Sequence, residues 1–347
     1  MRYFTIVFFF ALNLQSDVSA DEESATGYLL FCPCMGRLGN QVSHLLGAIA
    51  SAKESGRTLV LPPFVKYRRG KTSFVSFDDH FTLSAVNAFV PAMTMTEFLS
   101  DQERWPKEDR RLYCQSPESN GNCPMPKGNP QKTFWDHHDI EFVETVTTTV
   151  KPTDALSIED HPVIALASSA GSYPVKAKHR QLQQYLSWNN DIARDGDNFI
   201  RDNLTRPYLA VHLRNGDDWA NACNQAVDRE EFFESAQCGL HRGSGDVITR
   251  EVCIPGPSTA IQNILDAQKS HGPFPTVFVG TDRKPYLEEI KAAVGETVSV
   301  VRGTSAVMDL YVFGQADIFL ANCLSSFSAL SVRERNVNKQ PTLFLGR

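Results

Sequence analysis

Short apolar segments rich in strand-forming residues alternate with helical segments along much of this 347-residue chain. In the second half, the predicted strands cover residues 208–212, 276–280, 297–301 and 317–321, and the predicted helices cover residues 259–270, 284–294, 305–315 and 326–334. A chain that returns through a helix after each strand lays its strands side by side in the same direction. The alternation therefore predicts an α/β fold built on a parallel, doubly wound sheet.

The first half opens with a unit of the same kind. Residues 28–32 form a predicted strand, residues 33–40 a turn punctuated by glycines, residues 42–52 an apolar helical face, and residues 58–61 a second strand. A turn of this kind at a helix N-terminus presents free N–H groups that can bind an anion. Its glycine spacing is not GxGxxG, which argues against a dinucleotide fingerprint. A tight turn without a ligand is the alternative interpretation.

Residues 1–20 have the pattern of a secretory signal, because Arg2 precedes an apolar run and Val18-Ser19-Ala20 supplies a small-residue cleavage site. The run is short for a membrane span, and no later segment is long and apolar enough to be one. The rest of the chain exceeds the roughly 250–300 residues that one hydrophobic core usually serves, which predicts two domains. A net charge of −6 without a basic block argues against a nucleic-acid partner.

All eight cysteines lie after the predicted signal. An even number of cysteines in a secretory chain indicates disulfides, and the lack of a CxxC pair argues against a zinc site. Asp195-Gly196-Asp197 is similar to the DxD metal motif of sugar-nucleotide enzymes, but it lies in a polar helical stretch rather than at a strand end. We therefore expect no bound metal. Asn203-Leu204-Thr205 is a glycosylation sequon, with Asn203 as the expected acceptor.

Polar side chains follow three of the predicted strands. Residues 207–223 run from an apolar strand into a polar segment that contains Arg214, and Thr281-Asp282 and residues 322–327 follow two other strands. The carboxyl ends of parallel strands converge on one crevice. An arginine with its planar set of donors at such a strand end suits a phosphate. Ser325-Ser326 stand where a helix begins, which suits either helix capping or phosphate contact.

Three segments, residues 32–41, 212–219 and 309–327, resemble the signature segments of the GDP-fucose protein O-fucosyltransferases that modify EGF repeats. The likeness extends from about residue 28 to residue 327 and includes the cysteine pattern. It implies a GT-B architecture, in which two Rossmann-like domains hold the donor in the cleft between them. The expected division is residues 21–195 on the acceptor side, residues 205–335 on the GDP-fucose side, and a C-terminal tail at residues 336–347.

The resemblance also implies a role for individual residues. Arg214 would contact the β-phosphate of the donor, Asp309 the nucleoside, and Ser326 with Phe327 the phosphate and sugar end, and Arg214 and Asn40 are the expected catalytic residues. Leu38 stands where the family usually has phenylalanine. The full set expected to bind GDP-fucose is Arg37, Leu38, Gly39, Asn40, His212, Leu213, Arg214, Asp309, Ser326 and Phe327.

The implied activity is metal-independent, inverting transfer of fucose to a Ser or Thr hydroxyl of folded EGF-like repeats, such as those of Notch-like receptors and their ligands. It needs no cofactor and takes place in the endoplasmic reticulum lumen, although the chain ends without the KDEL-like tail that is common in the family. The implied disulfides are Cys32–Cys34, Cys114–Cys123, Cys223–Cys253 and Cys238–Cys323.

Two alternatives stay open at the level of sequence. One is a non-catalytic chaperone or lectin-like binder of EGF repeats in the secretory pathway, which the presence of Arg214 and Ser326 disfavours. The other is a GT-B transferase that acts on a glycan, which the segments at residues 32–41 and 322–327 disfavour.

Overall fold

The computed structural model describes residues 27–68, 71–115, 123, 131–227, 236–240 and 247–347. The predicted secretory signal at residues 1–20 lies outside the described residues.

The strands of the described part are short and mostly buried. They are β1 Tyr28–Phe31, β2 Thr58–Leu61, β3 Phe64–Arg68, β4 Lys71–Val75, β5 Ala92–Thr94, β6 Arg111–Gln115, β7 Glu144–Thr148, β8 Val163–Leu166, β9 Tyr208–Leu213, β10 Thr276–Thr281, β11 Ser299–Arg302, β12 Ile318–Ala321 and β13 Thr342–Phe344.

The α-helices lie between these strands. They are α1 Leu38–Ser55, α2 Leu83–Asn87, α3 Met95–Ser100, α4 Gln131–His137, α5 Pro152–Ala155, α6 Asn190–Asn203, α7 Asp217–Ala226, α8 Arg250–Cys253, α9 Pro257–His271, α10 Leu287–Val294, α11 Ala306–Gln315 and α12 Ser326–Val337. Short 3-10 helices connect them at Phe77–Asp79, Gln102–Arg104, Lys107–Asp109 and Ala236–Cys238, and a longer one covers Ala177–Tyr185.

The strands form two parallel sheets and a separate antiparallel hairpin. The first sheet has the order β5-β2-β1-β8-β6-β7, the second has the order β11-β10-β9-β12-β13, and β3 pairs with β4. The parallel pairing of β1 with β2 and β8, and of β9 with β10 and β12, confirms the predicted α/β fold.

Strand β9 is the centre of the second sheet, and its six residues are all buried. Tyr208 and Ala210 pack into one hydrophobic cluster, whereas Leu209, Val211 and Leu213 pack into another. Because successive side chains of a strand point to opposite faces, the two clusters lie on the two sides of the sheet. A strand covered on both faces has a continuous apolar sequence, which is the pattern seen at this position.

The two sheets meet through helices that begin at their facing edges. Gly39 in the first turn of α1 lies against the backbone of Ser326 and Phe327 in the first turn of α12, with no room for a Cβ atom. Further from this contact, Trp188 donates its indole N–H to the Glu334 carboxylate of α12 at 3.1 Å. The first turns of α1 and α12 are therefore fixed side by side.

Several elements differ from the sequence-based expectation. The hairpin β3–β4 and helix α7 were not predicted, and Thr342–Phe344 lies in the expected tail but pairs with β12 as an edge strand. Helix α6 connects the two sheets along the chain, and its Gly196 packs against Tyr311 of α11.

The eight cysteines form the four pairs that the resemblance implies, namely Cys32–Cys34, Cys114–Cys123, Cys223–Cys253 and Cys238–Cys323. The third pair ties α7 to α8, and the fourth ties the turn Ala236–Cys238 to the segment that precedes α12. Both of these disulfides therefore hold segments next to the carboxyl edge of the second sheet.

Across the described ranges, no helix has the length and apolar character needed to cross a bilayer. The same residues contain no group of three or more His, Cys, Asp or Glu side chains arranged to hold a metal ion.

Candidate active site

The polar strand ends predicted to converge do so at one edge of the second sheet. The backbone N–H of Asn215, just after β9, donates to the Asp282 carboxylate, just after β10, at 2.9 Å. His212 at the end of β9 lies 2.6 Å from the Ser328 hydroxyl of α12, measured from Nδ1 to Oγ. These contacts bring three strand ends and the start of α12 together beside the first turn of α1.

Arg214 is held at this edge by two carboxylates and a ring. Its Nη2 donates to Asp218 Oδ2 at 2.8 Å, its Nη1 forms an ion pair with Asp282, and its guanidinium lies 5.3 Å from the centre of the Trp219 ring. The hydrogen bond from Arg214 is the main reason that the pKa of Asp218 is lowered. The guanidinium is therefore aimed rather than free to rotate.

Asp282 organises the turn that follows β9. Its Oδ1 accepts the backbone N–H groups of Asn215 and Gly216, at 2.9 and 3.0 Å. A Cβ atom at Gly216 would overlap this carboxylate, so the turn requires glycine at that position. Asp282 was recognised at a strand end, but its role in orienting Arg214 was not predicted.

The turn before α1 is fixed by a buried glutamine that was not predicted to have a role. Gln41 Nε2 donates to the carbonyls of Gly36 and Val65, at 3.0 and 2.8 Å, and its Oε1 accepts the Val65 N–H. Gly36 has a φ of 62°, and the Asn40 side chain lies directly over it. The glutamine thus joins the turn to the hairpin strand β3 and leaves Asn40 at the cleft.

Both helices that meet at the cleft begin with open backbone N–H groups. Arg37 stands at the N-cap of α1 and Ser325 at the N-cap of α12, and neither makes a capping bond through its side chain. Asn322 instead accepts the N–H groups of Leu324 and Ser325 before the helix starts. The sequence left helix capping and phosphate contact open for Ser325 and Ser326. Ser325 makes no capping bond through its side chain, and a helix N-terminus without such a bond favours an anion.

His212 is buried and neutral. Burial, and then the charge of Arg214, lowers its pKa to about 3. The Ser328 hydroxyl already accepts the Asn322 N–H at 3.0 Å, so its own proton is available for His212 Nδ1. This assignment, inferred from the hydrogen bonds, places the imidazole proton on Nε2 and makes that atom a donor. Phe327 packs against the ring at 5.0 Å between centres.

Asp309 occupies a separate, deeper part of the same sheet edge. Its carboxylate lies beside Gly280 of β10 and Gly303 after β11, where a Cβ atom on Gly303 would overlap it. Its Oδ1 is buried without a hydrogen-bond partner. Burial raises its pKa to about 7, against the opposing effect of the backbone at Thr304 and Ser305. An unpartnered carboxylate oxygen of this kind is an acceptor for the N–H groups of a ligand.

The remaining predicted residues differ in their placement. Arg37 is well exposed, and its Nη2 lies 3.9 Å from Asp218, so it approaches the same carboxylate as Arg214. Leu38 is partly buried, whereas Leu213 is buried in the core of the second sheet, so only its backbone is available at the edge. Asn203 is exposed at the end of α6, as a glycosylation acceptor has to be.

Two parallel sheets of Rossmann type, with helix N-termini and a guanidinium where they meet, form the GT-B architecture expected from the sequence. Comparison with known proteins agrees. The chain is 31% identical over 380 residues to GDP-fucose protein O-fucosyltransferase 1 of Caenorhabditis elegans, an alignment that covers 99% of this chain and 96% of that protein.

Solved structures give the same result. Crystal structures of POFUT1 in complex with GDP and with GDP-fucose each match with a TM-score of 0.86, at 32% and 31% identity, and each covers 93% of this chain and 99% of the other. Residues 28–338 match the GDP-fucose protein O-fucosyltransferase family. The chain therefore belongs to that family and is a glycosyltransferase.

Proposed function

We propose that this enzyme transfers fucose from GDP-fucose to a Ser or Thr hydroxyl of a folded EGF-like repeat, with inversion at the anomeric carbon. The observation that carries this proposal is the meeting of the α1 and α12 N-termini at Gly39 and Ser326, beside the oriented Arg214. The crystal structures of POFUT1 with GDP and with GDP-fucose support the choice of donor.

In this proposal the donor lies along the carboxyl edge of the second sheet. Asp309 accepts N–H groups of the nucleoside, since its Oδ1 is buried and unpartnered. His212 donates from Nε2, and Ser326 with Phe327 borders the phosphate and sugar end. The diphosphate then reaches Arg214 and the open N-terminus of α12, which are the cationic and partly positive groups at this edge.

The chemical difficulty is the charge that builds on the leaving β-phosphate while the sugar becomes oxocarbenium-like. An oriented guanidinium and fixed N–H groups stabilise that charge without reorganising, and such groups are usually the largest contribution to catalysis. The bond between the anomeric carbon and the phosphate oxygen breaks as the acceptor oxygen bonds to the opposite face of that carbon. The acceptor proton goes to a phosphate oxygen of the departing GDP. The charge on the leaving group is thus met by groups of the protein, and no metal enters this proposal.

Asn40 and Arg37 stand on the α1 side of the cleft, where they face the sugar and the incoming hydroxyl. Asn40 is not a base at neutral pH, so we assign it to positioning the reacting groups by hydrogen bonds. Leu38, in the place where the family usually has phenylalanine, offers a smaller apolar contact there.

We infer that the acceptors are folded EGF repeats of Notch-like receptors and their ligands, and that the enzyme acts in the endoplasmic reticulum lumen. Four disulfides support an oxidising compartment. A linear peptide would lose more conformational entropy on binding than a folded repeat does.

The deciding experiment is incubation with GDP-fucose and a folded EGF repeat in a chelator, followed by mass measurement of the repeat. We expect the mass of one fucose to be added, and a reduced and alkylated repeat to stay unmodified. Equal rates on the folded and the reduced repeat would rule out recognition of the fold. Binding of the repeat without transfer would instead favour the non-catalytic alternative.

A further inference from the structure

A cavity of about 170 Å³ lies between the 3-10 helix Ala177–Tyr185 and helix α12. None of the residues assigned to the donor site lines it. Arg180 of the 3-10 helix and Arg333 of α12 both line the cavity, so each of its two sides contributes an arginine. The space is several times the roughly 30 Å³ share of one water molecule in the liquid, which is enough for a small polyatomic ligand.

Arg333 is an incompletely paired buried cation. Its side chain is 95% buried, since the residue is only 5% exposed. Its Nε donates to Gln183 Oε1 at 3.1 Å, whereas its Nη2 is buried without a hydrogen-bond partner. A buried donor that belongs to a charged group and lacks an acceptor is unfavourable, and native proteins rarely keep one without compensation.

The surroundings of Arg333 provide no compensating charge in the described part of the chain. Burial lowers the pKa of Arg333 to about 10; Tyr173 opposes this change, Arg180 adds to it, and no carboxylate contributes. Arg180 makes one long contact, from its Nε to the Val175 carbonyl at 3.5 Å. Two like charges therefore share a cavity, and each is stabilised by an anion placed between them.

We propose that this cavity is a binding site for a tetrahedral oxyanion, either phosphate or sulfate, held between Arg180 and Arg333. A guanidinium offers parallel N–H donors whose spacing matches two oxygens of such an ion. Arg333 supplies donors from the buried side of the cavity, and Arg180 supplies donors from the more open side.

The walls of the cavity connect it to the start of α12. The Tyr173 hydroxyl donates to the Leu324 carbonyl at 2.8 Å, and Gln237 Nε2 lies 3.4 Å from the Ser325 carbonyl. An ion held between the two arginines therefore braces the junction of the domains as well as the turn that leads into α12. This binding stabilises the folded protein by an amount that grows with the logarithm of the ion concentration relative to the dissociation constant.

The test is thermal unfolding of the whole protein in sodium phosphate or sodium sulfate, compared with sodium chloride of equal ionic strength. We expect phosphate or sulfate to raise the unfolding midpoint by on the order of 2–4 °C, and the rise to grow with the logarithm of its concentration. Arg180→Met should remove most of this rise, and only the part due to phosphate in the donor cleft should remain. Arg180 is only partly buried and holds no carboxylate, so this variant should fold. Arg333→Lys, which keeps the charge at the buried position, should reduce the rise.

Two further variants make the result decisive. Arg214→Met removes a guanidinium of the donor cleft, and Arg201→Met removes an exposed arginine on α6. Both should keep the rise. A rise that Arg214→Met abolishes and Arg180→Met leaves intact would place the ion in the donor cleft and overturn the proposal. The proposal would also be overturned if phosphate and sulfate raised the midpoint no more than chloride does. An equal loss of the rise in Arg180→Met, Arg214→Met and Arg201→Met would overturn it too. Phosphate and sulfate in separate titrations show which of the two ions binds more tightly.

Discussion

Gly39 at the start of α1 touches the backbone carbonyl of Ser326 at the start of α12, and no side-chain carbon fits between them. The two helices belong to different sheets, so this contact sets the distance between the two sides of the cleft. It also places two uncapped helix N-termini next to each other. The proposed chemistry depends on that arrangement.

We predict that Gly39→Ala lowers transfer activity by about 100-fold, because a methyl group has to displace one helix start relative to the other, and a shift of about 1 Å has effects of that size. The matched control is Gly256→Ala at the N-cap of α9, where a Cβ atom has no neighbour within 4 Å. Transfer rates of both variants with GDP-fucose and a folded repeat check the prediction. Near-normal activity of Gly39→Ala would contradict it.

Arg214→Ala should reduce kcat by on the order of 100- to 1000-fold, which is typical for loss of one oriented group that stabilises transition-state charge. Arg214→Lys should also lose most of kcat, because an ammonium lacks the planar donors. The matched control is Arg206→Lys, since Arg206 stands at the opposite end of β9, 3.3 Å from Asp317, and stacks on Tyr208.

A purely structural role for Arg214 gives a different result. The ion pairs with Asp218 and Asp282 would then be its only contribution, so Arg214→Ala would lower the unfolding temperature and leave the activity of the folded fraction near that of wild type. Activity and unfolding temperature measured on one preparation separate the two roles.

GDP affinity should depend on the ionisation of Asp309, whose pKa burial raises to about 7. Above pH 7 the carboxylate is charged and accepts N–H groups of the nucleoside. Below pH 7 the protonated form prevails, so we expect affinity to fall by up to about 10-fold per pH unit, following the competent fraction. Calorimetry from pH 6 to pH 8 measures this change. Asp309→Asn should bind GDP weakly at every pH, and its GDP affinity should lack the pH dependence that Asp309 causes.

The same shift has a consequence for stability without ligand. Because the pKa of Asp309 is higher in the folded protein than its usual value of 3.8, the folded state holds this proton more tightly than the unfolded chain does. The contribution of this group is thus complete below about pH 3.8 and is lost as the pH rises toward 7. Asp309→Asn should lessen the decline in unfolding free energy over this window. An unchanged decline would contradict the raised pKa.

Thiol labelling of the unreduced, denatured protein should detect no free thiol, because all eight cysteines are paired. Replacing Cys238 and Cys323 together by serine should cost about 2–5 kcal/mol of stability, as loss of a native disulfide typically does. It should also weaken GDP binding, because this disulfide anchors the segment that leads to Ser326. Stoichiometric labelling of the wild-type protein would contradict the pairing.

The sequence by itself determined that the fold is built on parallel strands and that Arg214 follows one of them. Strand β9 is apolar along its whole length because both of its faces are covered, and the change to polar residues marks its carboxyl end. Such local patterns are visible in a linear chain, because burial on both faces and the end of a strand each leave a direct mark in the order of residues.

Only the tertiary structure decided how these groups are held. Asp282 orients Arg214 across 68 positions of sequence, and Gln41 joins the α1 turn to Val65 in a hairpin that was not predicted. In the sequence, nothing distinguishes Arg333 from an exposed charged residue of a helix. In the structure, the 3-10 helix packed beside α12 buries it, and it lines a cavity together with Arg180. Contacts of this kind depend on which elements pack together. Polar side chains make them in many alternative geometries, so the order of residues leaves them undetermined.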